Sequence, residues 1–213
     1  MNKSPTWLKW LFWLTSAGVF GALACAAGIY LYLSPKLPSV DTLRDTQLQV
    51  PLRVYSADGL LMGEFGEKRR TPVSAEEMPQ DLINAILAAE DDTFLTHHGV
   101  DIKGLLRAAI ELVSTGSIQS GGSTITMQVA KNYFLTRERT FERKFTEILL
   151  ALQIERELSK SEILELYLNK IFLGHRAYGI GAAAQTYYGK PIDRLDLAQL
   201  AMMAGLPQAP SVN

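Results

Sequence analysis

Cysteine is almost absent from this 213-residue chain: Cys25 stands alone, so no disulfide framework can form within it. Histidine is nearly as scarce. His97 and His98 are neighbours and His175 is distant, and none of them has the i, i+4 spacing of a helical zinc site. No sign of charge dominates. With 21 Lys and Arg against 22 Asp and Glu, the whole chain carries no basic field for nucleic acid, and an anion site must come from local clustering. No Gly-Lys-Ser/Thr follows a glycine loop, which excludes a nucleotide P-loop. No Gly-x-Ser-x-Gly elbow is present, and no Ser-x-x-Lys, so neither a hydrolase triad nor a penicillin-reactive serine has support. Charge is missing altogether from positions 10–35.

That uncharged run is long enough for a membrane-spanning helix, which needs about 20 apolar residues. Trp7, Trp10 and Trp13 lie near one end and Tyr30 and Tyr32 near the other, as interfacial belts do. It is long for the core of a cleaved leader, and no clear small-residue cleavage site follows it, so a retained anchor is expected. Lys3 and Lys9 precede it, whereas Asp41 soon follows Lys36, which puts the N-terminus in the cytoplasm and the remainder outside. The expected organisation is a tail over 1–9, an anchor over 10–35, a proline-stiffened linker over 36–47, and one domain over 48–213.

Alternating apolar residues around Asp58-Gly59 predict a hairpin within 48–65. From residue 74 the pattern is helical. Helices are predicted over about 79–90, 101–113, from Ser123 or Thr124 onward, 140–158, 161–171 and 195–204, with a flexible loop over 114–123. The second has an apolar stripe at Ile102, Leu105, Leu106, Ala109 and Val113. The fourth has one at Phe141, Phe145, Ile148, Leu149 and Leu152. The fold class is mainly α, with a short β hairpin near its start and one transmembrane helix before it.

Two carboxylates draw interest. Seven residues at roughly 100° each bring Glu90 within about 20° of Ile83, on the apolar face of its helix and at its C-terminus. There desolvation and the macrodipole both act against its charge, a setting in which carboxylates serve as bases. The alternative is a helix that stops earlier and leaves Glu90, Asp91 and Asp92 in a solvated turn. Glu147 points away from the stripe of its helix and lies four residues after Arg143, which reads as a surface ion pair. The segment with Lys131, Arg137, Arg139, Arg143 and Lys144 is either a solvated helix face or an anion site.

Five stretches, taken in order, resemble the motifs of the peptidoglycan glycosyltransferase family, found in class A penicillin-binding proteins and in monofunctional glycan polymerases. Glu90 to Gly99 is similar to E-D-x-x-F-x-x-H-x-G, and Gly122 to Gln128 to G-x-S-T-I-T-Q-Q. Arg143 to Glu147 fits R-K-x-x-E, Ile163 to Asn169 fits I-L-E-x-Y-L-N, and Gly174 to Lys190 fits the fifth. Met127 departs, standing where the family has the first of two glutamines, and one polar substrate contact is expected to be lost there. Gly205 to Ser211 resembles the closing signature, so the family's domain is expected to continue past Asn213.

The resemblance implies a lysozyme-like fold with a membrane-facing lobe. It implies polymerisation of lipid II onto a growing glycan strand, with inversion and release of undecaprenyl diphosphate, at the outer face of the inner membrane. Glu90 would be the general base and Glu147 the second carboxylate. Ser123, Thr124, Gln128, Lys131, Arg139, Arg143 and Lys144 would bind substrate, while Glu165, Tyr167 and Asn169 would buttress the site. The resemblance leaves room for a divalent cation, magnesium or manganese, with ligands unassigned, and for partner proteins of cell-wall synthesis. The rivals are a lysozyme-like hydrolase using the same carboxylates and a noncatalytic membrane scaffold.

Overall fold

The structure, a computed structural model, describes residues 6–44, 51–66, 68–116, 122–136, 138 and 140–208. Residues 1–5 of the expected tail, most of the 114–123 loop, Arg137, Arg139 and the closing signature from Ala209 onward lie outside the described residues.

Helix α1 (Thr6–Leu33) is uninterrupted and exposed along most of its length, and only its outer end, where Leu33 is buried, meets the domain at α5. At 1.5 Å per residue its 28 residues extend about 42 Å, more than a hydrocarbon core requires. The chain then makes short 3-10 turns at Ser34–Lys36 and Val40–Leu43. Val40 and Leu43 are buried in the hydrophobic core, so this part of the stretch expected as a linker folds onto the domain. Strands β1 (Leu52–Tyr55) and β2 (Leu61–Phe65) form the expected antiparallel hairpin, Leu52 opposite Phe65, with Gly59 at φ +83° supplying the turn.

The remainder is helical: α2 (Gln80–Glu90), α3 (Ile102–Thr115), α4 (Ile125–Phe134), α5 (Phe141–Glu157), α6 (Lys160–Lys170), α7 (Ile180–Tyr188) and α8 (Leu197–Gly205). Starts follow local chemistry. Asp101, Thr124, Thr140, Ser159 and Asp196 each accept a hydrogen bond from a first-turn N–H. Helix α7 was not expected from the sequence. Its Gly-Ala-Ala-Ala run has no polar–apolar rhythm, because almost every residue in it is buried. Helix α4 packs on α5 and α6, and α2 packs on α8. Asn169 of α6 clips the segment ahead of α2: its Oδ1 accepts from Val73 N at 2.9 Å and its Nδ2 donates to Val73 O at 2.8 Å.

The two apolar stripes do not face the core. On α3 only Gly104 is buried, while Ile102, Leu106, Ile110 and Val113 are exposed, Val113 by 88%. On α5 Phe141 is 84% exposed, and the buried face is Glu147, Leu150, Ala151 and Ile154. Periodicity locates an apolar stripe but does not say which medium it meets. Replacing Val113 by Gln is therefore expected to change the unfolding free energy by about 0.5 kcal/mol or less. Ile154→Gln, at a fully buried site, should cost about 3 kcal/mol or more. Denaturant titration in a non-ionic detergent separates the two, and equal costs would return α3 to the core.

Candidate active site

Glu90 is the last residue of α2 and half-buried, as the apolar-face reading requires. The loop behind it holds it in place. Asp91 turns inward, and its carboxylate accepts from Ile125 N, at the start of α4, at 2.9 Å. The same carboxylate lies 2.9 and 3.0 Å from His97 Nε2. His97 Nδ1 accepts from Gly99 N at 3.1 Å, so the ring's proton is assigned to Nε2 and is donated to Asp91. Gly99 has φ +90°, and a Cβ there would come within 2.7 Å of Ala151 O. Its carbonyl in turn accepts from Thr124 Oγ1 at 2.6 Å. The loop after Glu90 is thus tied at two points to the entrance of α4. His97 is a positioning residue, and His98 is exposed.

From that entrance α4 carries Gln128, whose Nε2 donates to Glu90 Oε2 at 3.0 Å. Among the described residues this is the one hydrogen bond to Glu90 of ordinary geometry. Tyr167 of α6 is fully buried, with its hydroxyl turned to Glu90. Burial first, and then the Glu90 charge, push its phenol well above the usual tyrosine range. Thr124 is buried and its hydroxyl is committed to Gly99 O and to capping α4, which makes it part of the scaffold of the site. Met127 is also fully buried, so the departure from the family pattern sits in the core and not on a surface that substrate reaches.

Glu147 overturns the surface-pair reading: it is only 2% exposed. Arg143 Nη1 donates to its Oε2 at 2.8 Å and Lys144 Nζ to its Oε1 at 2.7 Å. Lys144 Nζ also donates to Ser123 Oγ at 2.7 Å. Ser123 belongs to a crevice of about 270 Å³ whose wall includes Glu90. On the other side Arg143 lines a cleft of about 650 Å³ together with Lys68, Arg70, Lys131 and Lys170. A bonded row of side chains, Ser123, Lys144, Glu147 and Arg143, here the furrow, thus links the crevice beside Glu90 to a strongly basic cleft.

Of the nine expected site residues, eight lie along this furrow or in its walls. The ninth, Arg139, is outside the described residues. Lys68, Arg70 and Lys170 were missed. The run Lys68-Arg69-Arg70 was the available signal, whereas Lys170 offered none. Two backbone bonds, Arg69 N to Arg176 O and Tyr178 N to Arg69 O, both 3.0 Å, bring the run to this cleft. The crowding of cations has a signature in Lys170: burial, and then the charges of Arg70 and Lys68, hold its pKa below the usual lysine range. Among the described residues no group of three or more His, Cys, Asp or Glu side chains could hold a metal, and both Glu147 oxygens are already engaged.

A family model described as Transglycosylase matches residues 58–213. Penicillin-binding protein 1A of Pseudomonas aeruginosa is 65% identical over 204 residues, covering 96% of this chain and 25% of that protein. The Escherichia coli protein of the same name is 54% identical over 184 residues, covering 86% and 22%. The chain therefore spans about a quarter of the length of the curated relatives it matches. A crystal structure of Penicillin-Binding Protein 1A from Haemophilus influenzae is 36% identical and covers 78% of this chain and 15% of that one, with a TM-score of 0.39.

The basic cleft should bind inorganic pyrophosphate, and Lys170→Met should weaken that binding about tenfold by calorimetry. Melting temperature should hold or rise, because a cation crowded by burial and by like charge is removed. An anion would raise the lowered Lys170 pKa again, so binding at alkaline pH should take up protons, measurable as a dependence of the binding heat on buffer ionisation. Unchanged affinity in the variant would take Lys170 out of the anion site.

Proposed function

Because this chain belongs to the transglycosylase family, we propose that it polymerises peptidoglycan glycan strands from lipid II. The observation that carries this reading is the furrow: a half-buried carboxylate held by Gln128, beside a crevice linked through Ser123 and Lys144 to a cleft of cations. A hydrolase of neutral glycan would need the carboxylate but not the cleft. A scaffold would need neither, and would not hold Glu147 buried against two cations.

On this reading Glu90 takes the proton from the 4-hydroxyl of the acceptor GlcNAc. The freed oxygen attacks C1 of the donor MurNAc, and the bond from C1 to the diphosphate breaks on the opposite face. The α configuration becomes β, and undecaprenyl diphosphate leaves. Gln128 fixes the Glu90 carboxylate through one oxygen. Arg143, Lys144 and Lys131, with Lys68, Arg70 and Lys170, take up the charge that develops on the leaving group, in a site oriented before substrate arrives. A divalent cation on the diphosphate would supply further positive charge there.

The membrane supports the same reading. Helix α1 is the single helix among the described residues long and apolar enough to cross a bilayer. The outward stripe of α3 and the exposed Phe141 fit a lobe dipping into the same layer as a polyprenyl substrate. Tethering to that layer raises the effective substrate concentration. The lysine asymmetry around α1 supports an N-terminus in the cytoplasm and a domain outside the inner membrane.

Lipid II incubated with the detergent-solubilised protein should yield long glycan. Glu90→Gln should lower the rate by about 10²–10⁴ with melting unchanged. A variant that polymerises normally would remove Glu90 as the base, and cleavage of preformed glycan in place of polymerisation would favour the hydrolase.

A further inference from the structure

Helix α5 divides its work between two faces. Its N-terminal half carries Arg143, Lys144 and Glu147 into the furrow. Leu149, Leu152, Gln153 and Arg156 fall at i, i+3, i+4 and i+7 on another face, towards the outer end of α1. Between them lies a crevice of about 680 Å³, closed on the far side by Tyr30, Ser34 and Leu37. The crevice is graded. Along α5 the lining passes from apolar Leu149 and Leu152 to polar Gln153, Arg156 and Glu157. Arg156 is exposed and makes no hydrogen bond or ion pair among the described residues.

The height of the crevice is fixed by the chain around it. Tyr30 and Tyr32 end the apolar run, and Lys36 lies 3.5 Å over the Tyr32 ring and 3.7 Å from Glu142 Oε1. Aromatic rings and a lysine stacked in this way mark the level where a spanning helix leaves hydrocarbon for headgroups. A groove at that level, one wall of which is the anchor itself, opens onto acyl chains below and phosphates above. Its lining matches that gradient: leucines for a chain, and a guanidinium whose fork suits a phosphodiester.

We propose that the crevice between α1 and α5 seats one phospholipid of the surrounding bilayer, an acyl chain against Leu149 and Leu152 and the phosphate on Arg156. The lipid wedges the anchor against the helix that bears Arg143, Lys144 and Glu147, and so sets their height above the membrane. The proposal rests on α1 spanning the bilayer and is independent of the chemistry assigned to Glu90.

The test uses the full chain reconstituted in nanodiscs of phosphatidylethanolamine and phosphatidylglycerol, then transferred to detergent and delipidated stepwise under native mass spectrometry. The wild-type chain should retain one phospholipid after the others are lost. Leu152→Trp, which fills the crevice, should abolish retention. Arg156→Gln should weaken it about tenfold, with melting temperature and vesicle flotation unchanged. Should Leu152→Trp fail to fold, Arg156→Gln, at an exposed position, decides alone. Equal retention in wild type and Arg156→Gln, or no lipid retained by the wild type, overturns the proposal. Failure of the wild type to float with vesicles overturns the spanning anchor instead, and the proposal with it.

Discussion

A buried carboxylate sets the terms for the rest of this site. Desolvating Glu147 costs several kcal/mol unless its charge is matched, and removing one partner of such a pair is more damaging than never having had it. Two cations on its own helix match it, one per oxygen, at 2.7 and 2.8 Å. The pairing does more than neutralise. It fixes Lys144 where it also holds Ser123, which ties α5 to the entrance of α4. It fixes Arg143 at the rim of the basic cleft with a buried Nε still without a partner. Two cations against one carboxylate leave net positive charge, held rigidly and facing the place where an anion would sit.

The second constraint is the medium. A water-soluble domain with Ile102, Leu106, Ile110, Val113 and Phe141 exposed would aggregate, since contiguous apolar patches on soluble monomers are small. On the proposed reading the same side chains lie against lipid, and α5 then serves three neighbours: protein core, anchor and bilayer. Its core face is then free to carry Glu147, because the leucines and phenylalanines that would ordinarily fill it are used on other faces. That division explains how a helix with a plain apolar stripe buries a charge.

The same division explains what could be read from the sequence. Helix starts were legible because they are local: Thr124, Thr140 and Asp101 cap through their own side chains. Glu90 was legible because its place on α2 depends only on spacing within one helix. Glu147 was legible as a partner of Arg143 but not as buried, because the angle from Phe145 is informative only when Phe145 faces the core. Helix α7 was hidden by being buried on nearly every side. Lys170 lies far along the chain from the Lys68–Arg70 run, and the two meet only because the segment at 69 pairs with the segment at 176–178. Convergence of that kind leaves no trace in local spacing.

The environments of the two carboxylates sort their roles on the proposed reading. Glu147 accepts from a guanidinium on one oxygen and from an ammonium on the other, so both oxygens are taken. It acts as a fixed charge. Glu90 has one amide donor on one oxygen, a wall open to the crevice, and a buried phenol that cannot readily ionise beside it. It keeps capacity to accept a proton. The Asp91–His97 pair keeps the two from drifting apart, because the loop that ends α2 and the turn that starts α4 share one buried carboxylate. Base and cation cleft are therefore held by different helices but referred to a single point, the entrance of α4, and an inverting displacement needs that arrangement: a proton acceptor on one side of the reacting carbon and charge stabilisation on the other.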